Sequence, residues 1–456
     1  MPDNLIKKLA EAPAEALEKT VTTSGNLVKN VVQKSGLKKA SEYWQGLGPG
    51  LTTGAADDDP SGIATYSQTG AQYGFSLLWL AAFSFPLMAV VQEMCARIGL
   101  VTGRGLAANI RLHYPKWMLY GTTALLFAAN SFNVGADLGA MAKSTQLLWP
   151  NLSFNWLVVI FAASSLLLQI FVSYKTYAKY LKWLALILLA YILAAALIDL
   201  NGRALLTSAF IPHLAFNRDE LFLICGILGT TISPYLFFWQ TSQEVEEQIL
   251  EGKTTIKLRK EITTPLEVHK MRVDVWSGMF FSNLVMFFII VTCAGTLFTH
   301  GITNITTAAD AAAALRPLAG ERAYLLFAIG VIGIGLQSVP VLAGSASYAL
   351  SESFGWRQGL YRKLRQAYAF YGVIIISMVI GLAINFLNLD PIKILIYAAV
   401  ANGLVAPIVL VPIVQISSNK KIMGQWSSGG TAKVIGWACV MLMIVSGLAA
   451  IASLVI

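Results

Sequence analysis

Three adjacent carboxylates, Asp57, Asp58 and Asp59, interrupt an apolar stretch of small residues with the sequence GLGPGLTTGAADDDPSGIATYSQTG. Carboxylate oxygens are ligands for hard cations such as Mg²⁺, Ca²⁺ and Mn²⁺. Asp59 is the strongest candidate ligand because Pro60 follows it, and a proline keeps the preceding residue out of the helical conformation. The pattern indicates a helix that breaks at Asp59, with this carboxylate and free backbone carbonyls facing a polar cavity. An ordinary surface turn is the alternative, but neither flank of the acidic group contains Lys or Arg.

A second interrupted stretch, FLICGILGTTISPYLFFWQTSQEVEE, supplies further oxygen atoms. A break at Pro234 would free the backbone carbonyls of Thr230 and Thr231, and Ser233 adds a hydroxyl. Gly62, in the first stretch, has no side chain and leaves space. The whole set offers hard oxygen ligands, which suit Mg²⁺, Ca²⁺ and Mn²⁺, whereas soft ligands are expected for zinc, copper or iron. One carboxylate with room for water favours Mg²⁺, which keeps several of its waters, while Ca²⁺ needs more protein oxygens.

Other ionisable residues in apolar segments have open roles. Asp57 and Asp58 either guide cations to the site, cap the break or face water in a vestibule. Asp137 either carries protons or bonds the asparagines that precede it by four and seven residues. Glu93 is expected to pair with Arg97, one helical turn further along the chain.

The elements that must position these residues are membrane helices. Of the 456 residues, 56% are hydrophobic and 12% are charged, whereas a soluble protein carries about 25% charged residues. Long apolar segments recur, and each approaches the roughly 17–25 residues that cross a bilayer. The sequence therefore predicts an all-α polytopic membrane protein with eleven spans. The spans are expected at residues 46–70, 75–99, 117–146, 154–173, 178–199, 220–247, 273–298, 323–352, 366–387, 391–415 and 432–455.

The basic residues predict how the spans are oriented. If the N-terminus is cytoplasmic, segments on that side contain 27 Lys and Arg residues, against 5 on the other side. Such an excess is typical of cytoplasmic loops, and eleven spans then place the C-terminus outside. Residues 1–45 are expected to form a basic cytoplasmic leader without a cleavable signal. A transporter core at 46–415 follows, and then a cytoplasmic loop and the last span at 416–456.

The two broken spans are the first and the sixth. Interrupted segments at matching positions of two halves are typical of transporters built from inverted repeats, although Gly and Pro are also common in membrane helices for other reasons. In that architecture spans 1–5 and spans 6–10 are related by a pseudo-two-fold axis, and one extra helix follows. The substrate site is expected where the two breaks meet.

Several function classes are disfavoured. The net charge of +9 does not indicate nucleic-acid binding, because the basic residues are scattered over short loops. The four cysteines lie in apolar segments without CxxC spacing, so they are expected to be core residues. An enzyme is not expected either, because the sequence has no HExxH motif, phosphate loop or evident nucleophile–base pair. No cofactor is predicted.

Three motifs together resemble the natural resistance-associated macrophage protein (NRAMP) family of divalent-metal transporters. They are Asp59-Pro60 in span 1, GLVTGRGLA at residues 99–107 and GTTISPY at residues 229–235. The resemblance extends over most of residues 46–415. It implies the LeuT-type fold, with a 5+5 inverted repeat, one extra helix and broken helices 1 and 6.

Both metal-binding motifs depart from the family pattern. The family's first-span motif is Asp-Pro-Gly-Asn, and here the ligand Asp59 is kept while Gly62 replaces the ligand Asn. The family's sixth span reads Ala-Thr-Val-Met-Pro-His. Ser233 stands in place of its Met, whose thioether favours transition metals.

The family's proton-handling positions are also changed. Tyr235 replaces the sixth-span His, and the Asp and Glu of the family's proton route in span 3 align with Asn133 and Ala136. This pattern is similar to that of the prokaryotic NRAMP-related magnesium transporters. The similarity implies Mg²⁺ and Mn²⁺ transport, a wider site for a partly hydrated ion, and no proton coupling.

The predicted function is inward transport of Mg²⁺, and also of Mn²⁺, by alternating access in the cell (inner) membrane. Asp59 would supply charge, Thr230 a carbonyl, and Ser233 with Thr231 polar oxygens, directly or through water. The alternatives are a proton-coupled Mn²⁺ or Fe²⁺ importer with Asp137 as its relay, an organic-solute (amino-acid) transporter of the same fold, and a gated channel. The predicted partners are the divalent metal ion and the lipid bilayer, and no nucleic acid.

Overall fold

The structure, a computed structural model, describes residues 48–172, 188–261, 263–387 and 389–455, and helices form most of them. The α-helices are α1 (Pro49–Asp57), α2 (Pro60–Tyr73), α3 (Trp79–Thr102), α4 (Leu106–His113), α5 (Lys116–Leu148), α6 (Phe154–Phe171), α7 (Leu189–Ala196), α8 (Gly202–Phe210), α9 (Arg218–Thr231), α10 (Pro234–Leu250), α11 (Ile256–Glu261), α12 (Pro265–Thr296), α13 (Ala308–Ala313), α14 (Arg316–Ala319), α15 (Ala323–Phe354), α16 (Tyr368–Ile384), α17 (Pro391–Ser417), α18 (Lys420–Met423) and α19 (Gly430–Val455). Short 3-10 helices lie at Phe298–His300, Gly320–Arg322, Leu364–Gln366 and Gly424–Trp426. The predicted leader, residues 1–45, lies outside the described residues.

Seven helical stretches in the described part of the chain are long and apolar enough to cross a membrane. They are Trp79–Thr102, Phe154–Phe171, Arg218–Leu250, Pro265–His300, Arg316–Phe354, Pro391–Ser417 and Gly430–Leu454, and they coincide with seven predicted spans. Three other predicted spans are helical but different in character: span 1 is two short helices, α5 has polar residues in its middle, and α16 has only 17 residues. Span 5, expected at 178–199, is described only from residue 188 onward, where α7 lies, so the total of eleven stays a prediction.

Helix α12 begins at Pro265, whereas the apolar pattern predicts a start at residue 273. Thr264 and Glu267 form a capping box, in which each side chain accepts a hydrogen bond from the other residue's backbone amide. The box satisfies amides that would otherwise lack partners, and Pro265 suits the first helical position. The helix therefore extends beyond the apolar segment that the hydropathy pattern detects.

Two groups of helices enclose the broken spans. Helix α5 packs against α15, α16 and α17, while α12 packs against α1, α2 and α3. Helix α2 contacts both groups, through α12, α17 and α5. In the second broken span, α9 packs against α17 and α19, and α10 packs against α3 and α15. The breaks of both spans are consequently buried inside the bundle.

Two kinds of contact hold the first half of broken span 1 against α12. The carboxylate of Asp274 accepts hydrogen bonds from the amides of Gly50 (2.6 Å) and Leu51 (3.2 Å), which lie in the first turn of α1. These amides have no partner within the helix, so an anion there stabilises it. The two backbones also touch: a Cβ added to Gly54 would lie 2.3 Å from the carbonyl oxygen of Gly278.

This close approach predicts the effect of adding one methyl group. We expect Gly54→Ala to lower the free energy of unfolding by about 1–3 kcal/mol, because the backbone of α12 cannot move away cheaply. Gly121→Ala is the matched control, since Gly121 also lies in a helix but has no heavy atom within 4 Å of an added Cβ. The measurement is the temperature at which the purified protein loses its monodisperse elution peak. Equal temperatures for the two variants would contradict the packing.

Candidate metal centre

Both interrupted stretches are broken at the positions that the prolines predict. Helix α1 ends at Asp57 and α2 begins at Pro60, which leaves Asp58 and Asp59 between them. In the sixth span α9 ends at Thr231 and α10 begins at Pro234. Each second half therefore begins with proline at its first helical position, where the missing amide costs nothing. The two predicted breaks are confirmed.

The two breaks lie against each other. A Cβ added to Gly62 would lie 3.1 Å from the side-chain oxygen of Thr230. The hydroxyl of Tyr235 donates a hydrogen bond of 2.8 Å to the carbonyl of Ala56, in the last turn of α1. Such terminal carbonyls have no partner within their own helix. Tyr235 thus joins the second half of span 6 to the first half of span 1.

Asp59 is fully buried at this junction and caps helix α2. One carboxylate oxygen accepts hydrogen bonds from the amide of Gly62 (2.7 Å) and the hydroxyl of Ser61 (2.6 Å). The other accepts one from the side-chain amide of Asn133 (3.0 Å). A carboxylate offers about four lone-pair sites, so three donors leave capacity for a cation or for water bound to it. The N-terminus of α2 also favours negative charge at this position.

At Thr230 the predicted ligand, the backbone carbonyl, is occupied by a hydrogen bond. This carbonyl accepts a hydrogen bond of 2.7 Å from the hydroxyl of Ser233, which also reaches the carbonyl of Gly229 (2.8 Å). The side-chain oxygen of Thr230 is buried and has no hydrogen-bond partner among the described residues. The hydroxyl of Thr230, rather than its carbonyl, is therefore the oxygen without a protein partner.

The hydroxyl of Thr231 already has hydrogen-bond partners. It donates to the carbonyl of Ile227 (2.6 Å) and lies 3.2 Å from the hydroxyl of Tyr66. The sulfur of Met286, on α12, lies 3.7 Å from the same oxygen. One thioether thus approaches Thr231, although no thioether belongs to the breaks themselves.

The two other acidic residues of span 1 are buried and do not face water. Asp57 and Asp58 both contact the hydroxyl of Ser282 on α12. The interpretation that they are water-facing charges in a vestibule is therefore wrong. They do not cap α2 either, since Asp59 does so. A role in guiding cations stays a prediction.

The changed proton-route positions have structural contacts. Asn133 holds Asp59, and Ala136 is a buried apolar residue. The carboxylate of Asp137 accepts a hydrogen bond of 2.7 Å from Ser338 on α15. The expectation that Asp137 bonds the two asparagines of its own helix is wrong, because their side-chain amides donate elsewhere, to Leu342 and to Asp59.

Asn133 is the functional candidate whose contact the sequence analysis did not find. The sequence pattern indicates a replaced proton carrier or a partner of Asp137, yet Asn133 contacts Asp59 directly. The side-chain oxygen of Asn133 is buried and has no hydrogen-bond partner among the described residues. The available signal was the spacing of polar residues along α5, which places Asn130, Asn133 and Asp137 on one face.

Glu93, which is buried, forms a network of charged and polar contacts. Glu93 pairs with Arg97 as predicted, and it also accepts hydrogen bonds from Arg272 (2.9 Å) and Trp276 (2.7 Å). No group of three or more His, Cys, Asp or Glu residues arranged to hold a metal ion occurs in the parts of the chain that the structure describes. A metal site at the breaks would therefore contain at most two such ligands and would depend on neutral oxygens for the rest.

Sequence and structure comparisons identify relatives of the whole helical region. The family model for natural resistance-associated macrophage protein-like proteins matches residues 50–453. The divalent metal cation transporter MntH of Klebsiella pneumoniae is 25% identical over 401 residues, which cover 87% of this chain and 91% of the relative. The protein of the same name from Deinococcus radiodurans is 27% identical over 404 residues, with 87% of each chain covered. These relatives are transporters and not enzymes.

Solved structures establish the fold. A manganese transporter of Eremococcus coleocola superposes with a TM-score of 0.67 at 19% identity, covering 89% of this chain and 86% of that one. Mhp1, a nucleobase-cation-symport-1 family transporter, superposes with a TM-score of 0.52 at 14% identity, covering 89% and 91%. The predicted LeuT-type fold with broken helices 1 and 6 is confirmed. Because the family model matches almost all of the helical region, the chain belongs to the natural resistance-associated macrophage protein family.

Proposed function

We propose that this protein carries divalent metal cations inward across the cell membrane, chiefly Mg²⁺ and also Mn²⁺, without coupling to protons. The supporting observation is the position of Asp59, buried where the two broken helices meet and with lone-pair capacity left after three hydrogen bonds. The relatives named divalent metal cation transporters support the ion class.

The preference for Mg²⁺ rests on the oxygen atoms at and beside the two breaks. The hydroxyl of Thr230, the side-chain oxygen of Asn133 and the hydroxyl of Ser233 are all hard donors. A Cβ at Gly62 would already crowd Thr230 at 3.1 Å, so a longer side chain would fill the junction. Glycine lets the two breaks lie this close together, and Mg²⁺ keeps several waters when it binds to proteins. A partly hydrated Mg²⁺ fits this set better than a fully stripped ion.

Three positions support transport without proton coupling. Asn133 and Ala136 have side chains that do not titrate. Tyr235 uses its hydroxyl to join the two broken helices. Without protons, the inside-negative membrane potential would drive entry, at about 4.6 kcal/mol for a divalent ion per 100 mV, which is twice the value for a single charge. We also propose a cytoplasmic N-terminus, an outside C-terminus and a transporter core at 46–415, on the basis of the asymmetric Lys and Arg content.

Reconstituted vesicles test the proposal. We expect Mg²⁺ to accumulate in vesicles with an inside-negative potential, saturably, while the internal pH stays constant. Dyes for Mg²⁺ and for pH, read in parallel, give both results, and protein-free vesicles are the control. Acidification that accompanies Mn²⁺ or Fe²⁺ uptake would instead support the proton-coupled importer. Uptake of amino acids without metal flux would support the organic-solute transporter, and flux that does not saturate would support a channel.

A further inference from the structure

A second polar site lies away from the two breaks. A cavity of about 270 Å³ is enclosed by the turn between α3 and α4, the end of α10, helix α11 and the end of α15 with the loop that follows it. Five arginines line it: Arg104, Arg111, Arg259, Arg357 and Arg362. By the orientation proposed above, this end of the bundle faces the cytoplasm. The cavity's volume is slightly below the roughly 300–1,000 Å³ of drug-sized ligand pockets, which suits a small anionic group.

None of these five arginines forms an ion pair with a carboxylate among the residues that the structure describes. Arg259 instead donates to the carbonyl of Gly103 (3.1 Å), and Arg362 to the carbonyl of Gln358 (3.1 Å). Burial lowers the pKa of Arg259, Tyr361 raises it, and the positive charge of Arg104 lowers it again. Arg104 and Arg259 line the same cavity, so their positive charges oppose each other there.

Two carboxylates also line the cavity, but among the described residues they accept hydrogen bonds from neutral donors and not from the arginines. Glu246 accepts hydrogen bonds from the hydroxyl of Tyr348 and from the amide of Leu360. Glu352 accepts hydrogen bonds from neutral donors on three other segments: the amide of Ala108 (3.0 Å), Gln358 (2.9 Å) and Ser242 (3.2 Å). Even with both carboxylates ionised, the cavity keeps an excess of positive charge.

The arginine side chains of the cavity indicate which kind of anion would bind there. All five basic residues that line the cavity are arginines. The planar guanidinium group binds phosphate oxygens through two parallel hydrogen bonds, which a lysine cannot do. Arg362 is also held in place, because its guanidinium lies 4.9 Å from the centre of the Tyr361 ring. Arginines fixed in this way lose less freedom when a ligand binds.

We propose that this arginine-lined cavity binds a phosphate-bearing anion, either a soluble phosphate compound or the headgroup of an anionic lipid. The anion would connect segments that lie far apart in the sequence, including α10, the second half of the broken sixth span. It would thus stabilise the arrangement of helices described here. Binding depends on the arginines and not on Asp59, so it is independent of the function proposed above.

The experiment uses the full-length protein in detergent, with pyrophosphate as the soluble probe. Calorimetry is expected to detect binding, and the melting temperature should rise with pyrophosphate concentration, because a ligand that binds only the folded state stabilises it. The exposed pair Arg111 and Arg357 is replaced together, as R111Q/R357Q, and we expect affinity to fall at least about tenfold. Arg365→Gln is the matched control, since Arg365 is an exposed arginine of the same loop that does not line the cavity.

A second arm distinguishes the lipid source. Protein exchanged into nanodiscs of phosphatidylcholine with phosphatidylglycerol is examined by native mass spectrometry for retained phosphatidylglycerol. The variant R111K/R357K keeps the charge but loses the guanidinium fork, and we expect intermediate binding from it if folding is intact. Binding of either probe that depends on the arginines supports the site. Whichever probe binds, pyrophosphate or phosphatidylglycerol, shows whether the anion is a soluble phosphate or a lipid headgroup. Unchanged binding in R111Q/R357Q, or no binding of either probe to the unaltered protein, would overturn it.

Discussion

Asp59→Ala is expected to abolish Mg²⁺ uptake by reconstituted vesicles. Asp59 is the carboxylate that lies at the junction of the two breaks and carries capacity beyond its three hydrogen bonds. Two unit charges 4 Å apart interact by about 4 kcal/mol at an effective dielectric constant of 20, and a divalent ion doubles this energy. Each 1.4 kcal/mol is a factor of ten in affinity, so removal of the charge should reduce uptake at least about 100-fold.

A second substitution separates ion binding from folding. Asp59 also caps α2, and loss of a cap costs about 0.5–2 kcal/mol. Asp59→Asn keeps a good capping residue at this position and removes only the charge. We expect D59N to melt at nearly the temperature of the unaltered protein and yet to lose uptake as D59A does. Mg²⁺ flux retained in a well-folded D59N would remove Asp59 from the transport site.

Ser233→Met is expected to change which ions the protein prefers. The serine hydroxyl binds the carbonyls of Gly229 and Thr230 at the break of span 6. A methionine would replace this hard oxygen with a thioether, which favours softer metals. We expect the ratio of Cd²⁺ to Mg²⁺ uptake to rise about tenfold, which corresponds to about 1.4 kcal/mol. The same vesicles, assayed with each ion and with mixtures, provide the ratio.

Ser233→Ala is the control for this change. It also frees the two carbonyls, but it adds no sulfur. If S233A shifts the ratio as far as S233M does, the released carbonyls and not the thioether are responsible. An unchanged ratio in S233M would argue against a site that selects ions by the hardness of its oxygens. The thioether of Met286, which lies beside Thr231, would then be the next residue to replace.

Much of the architecture could be predicted because it depends on local chemistry. Pro60 and Pro234 each remove a backbone donor and disfavour a continuous helix, and each lies at a break. Other prolines lie inside continuous helices, namely Pro86, Pro340, Pro407 and Pro412. The polar and small residues beside Pro60 and Pro234 are therefore also part of the signal. The pairing of Glu93 with Arg97 depends only on one helical turn. In contrast, the early start of α12 depends on the capping box of Thr264 and Glu267, which the apolar pattern does not detect.

The sequence by itself determined that this is a membrane helix bundle broken at two matching places, because apolar length and proline chemistry act within one segment. It also predicted that Asp59 lies at the first break, where the structure places it. Only the tertiary structure decided that Asn133 holds Asp59, that Thr230 offers its hydroxyl, and that Asp57 and Asp58 are buried against α12. It also brought the five arginines to one cavity. These contacts join residues far apart in the chain, so they depend on how whole helices pack and not on any local pattern.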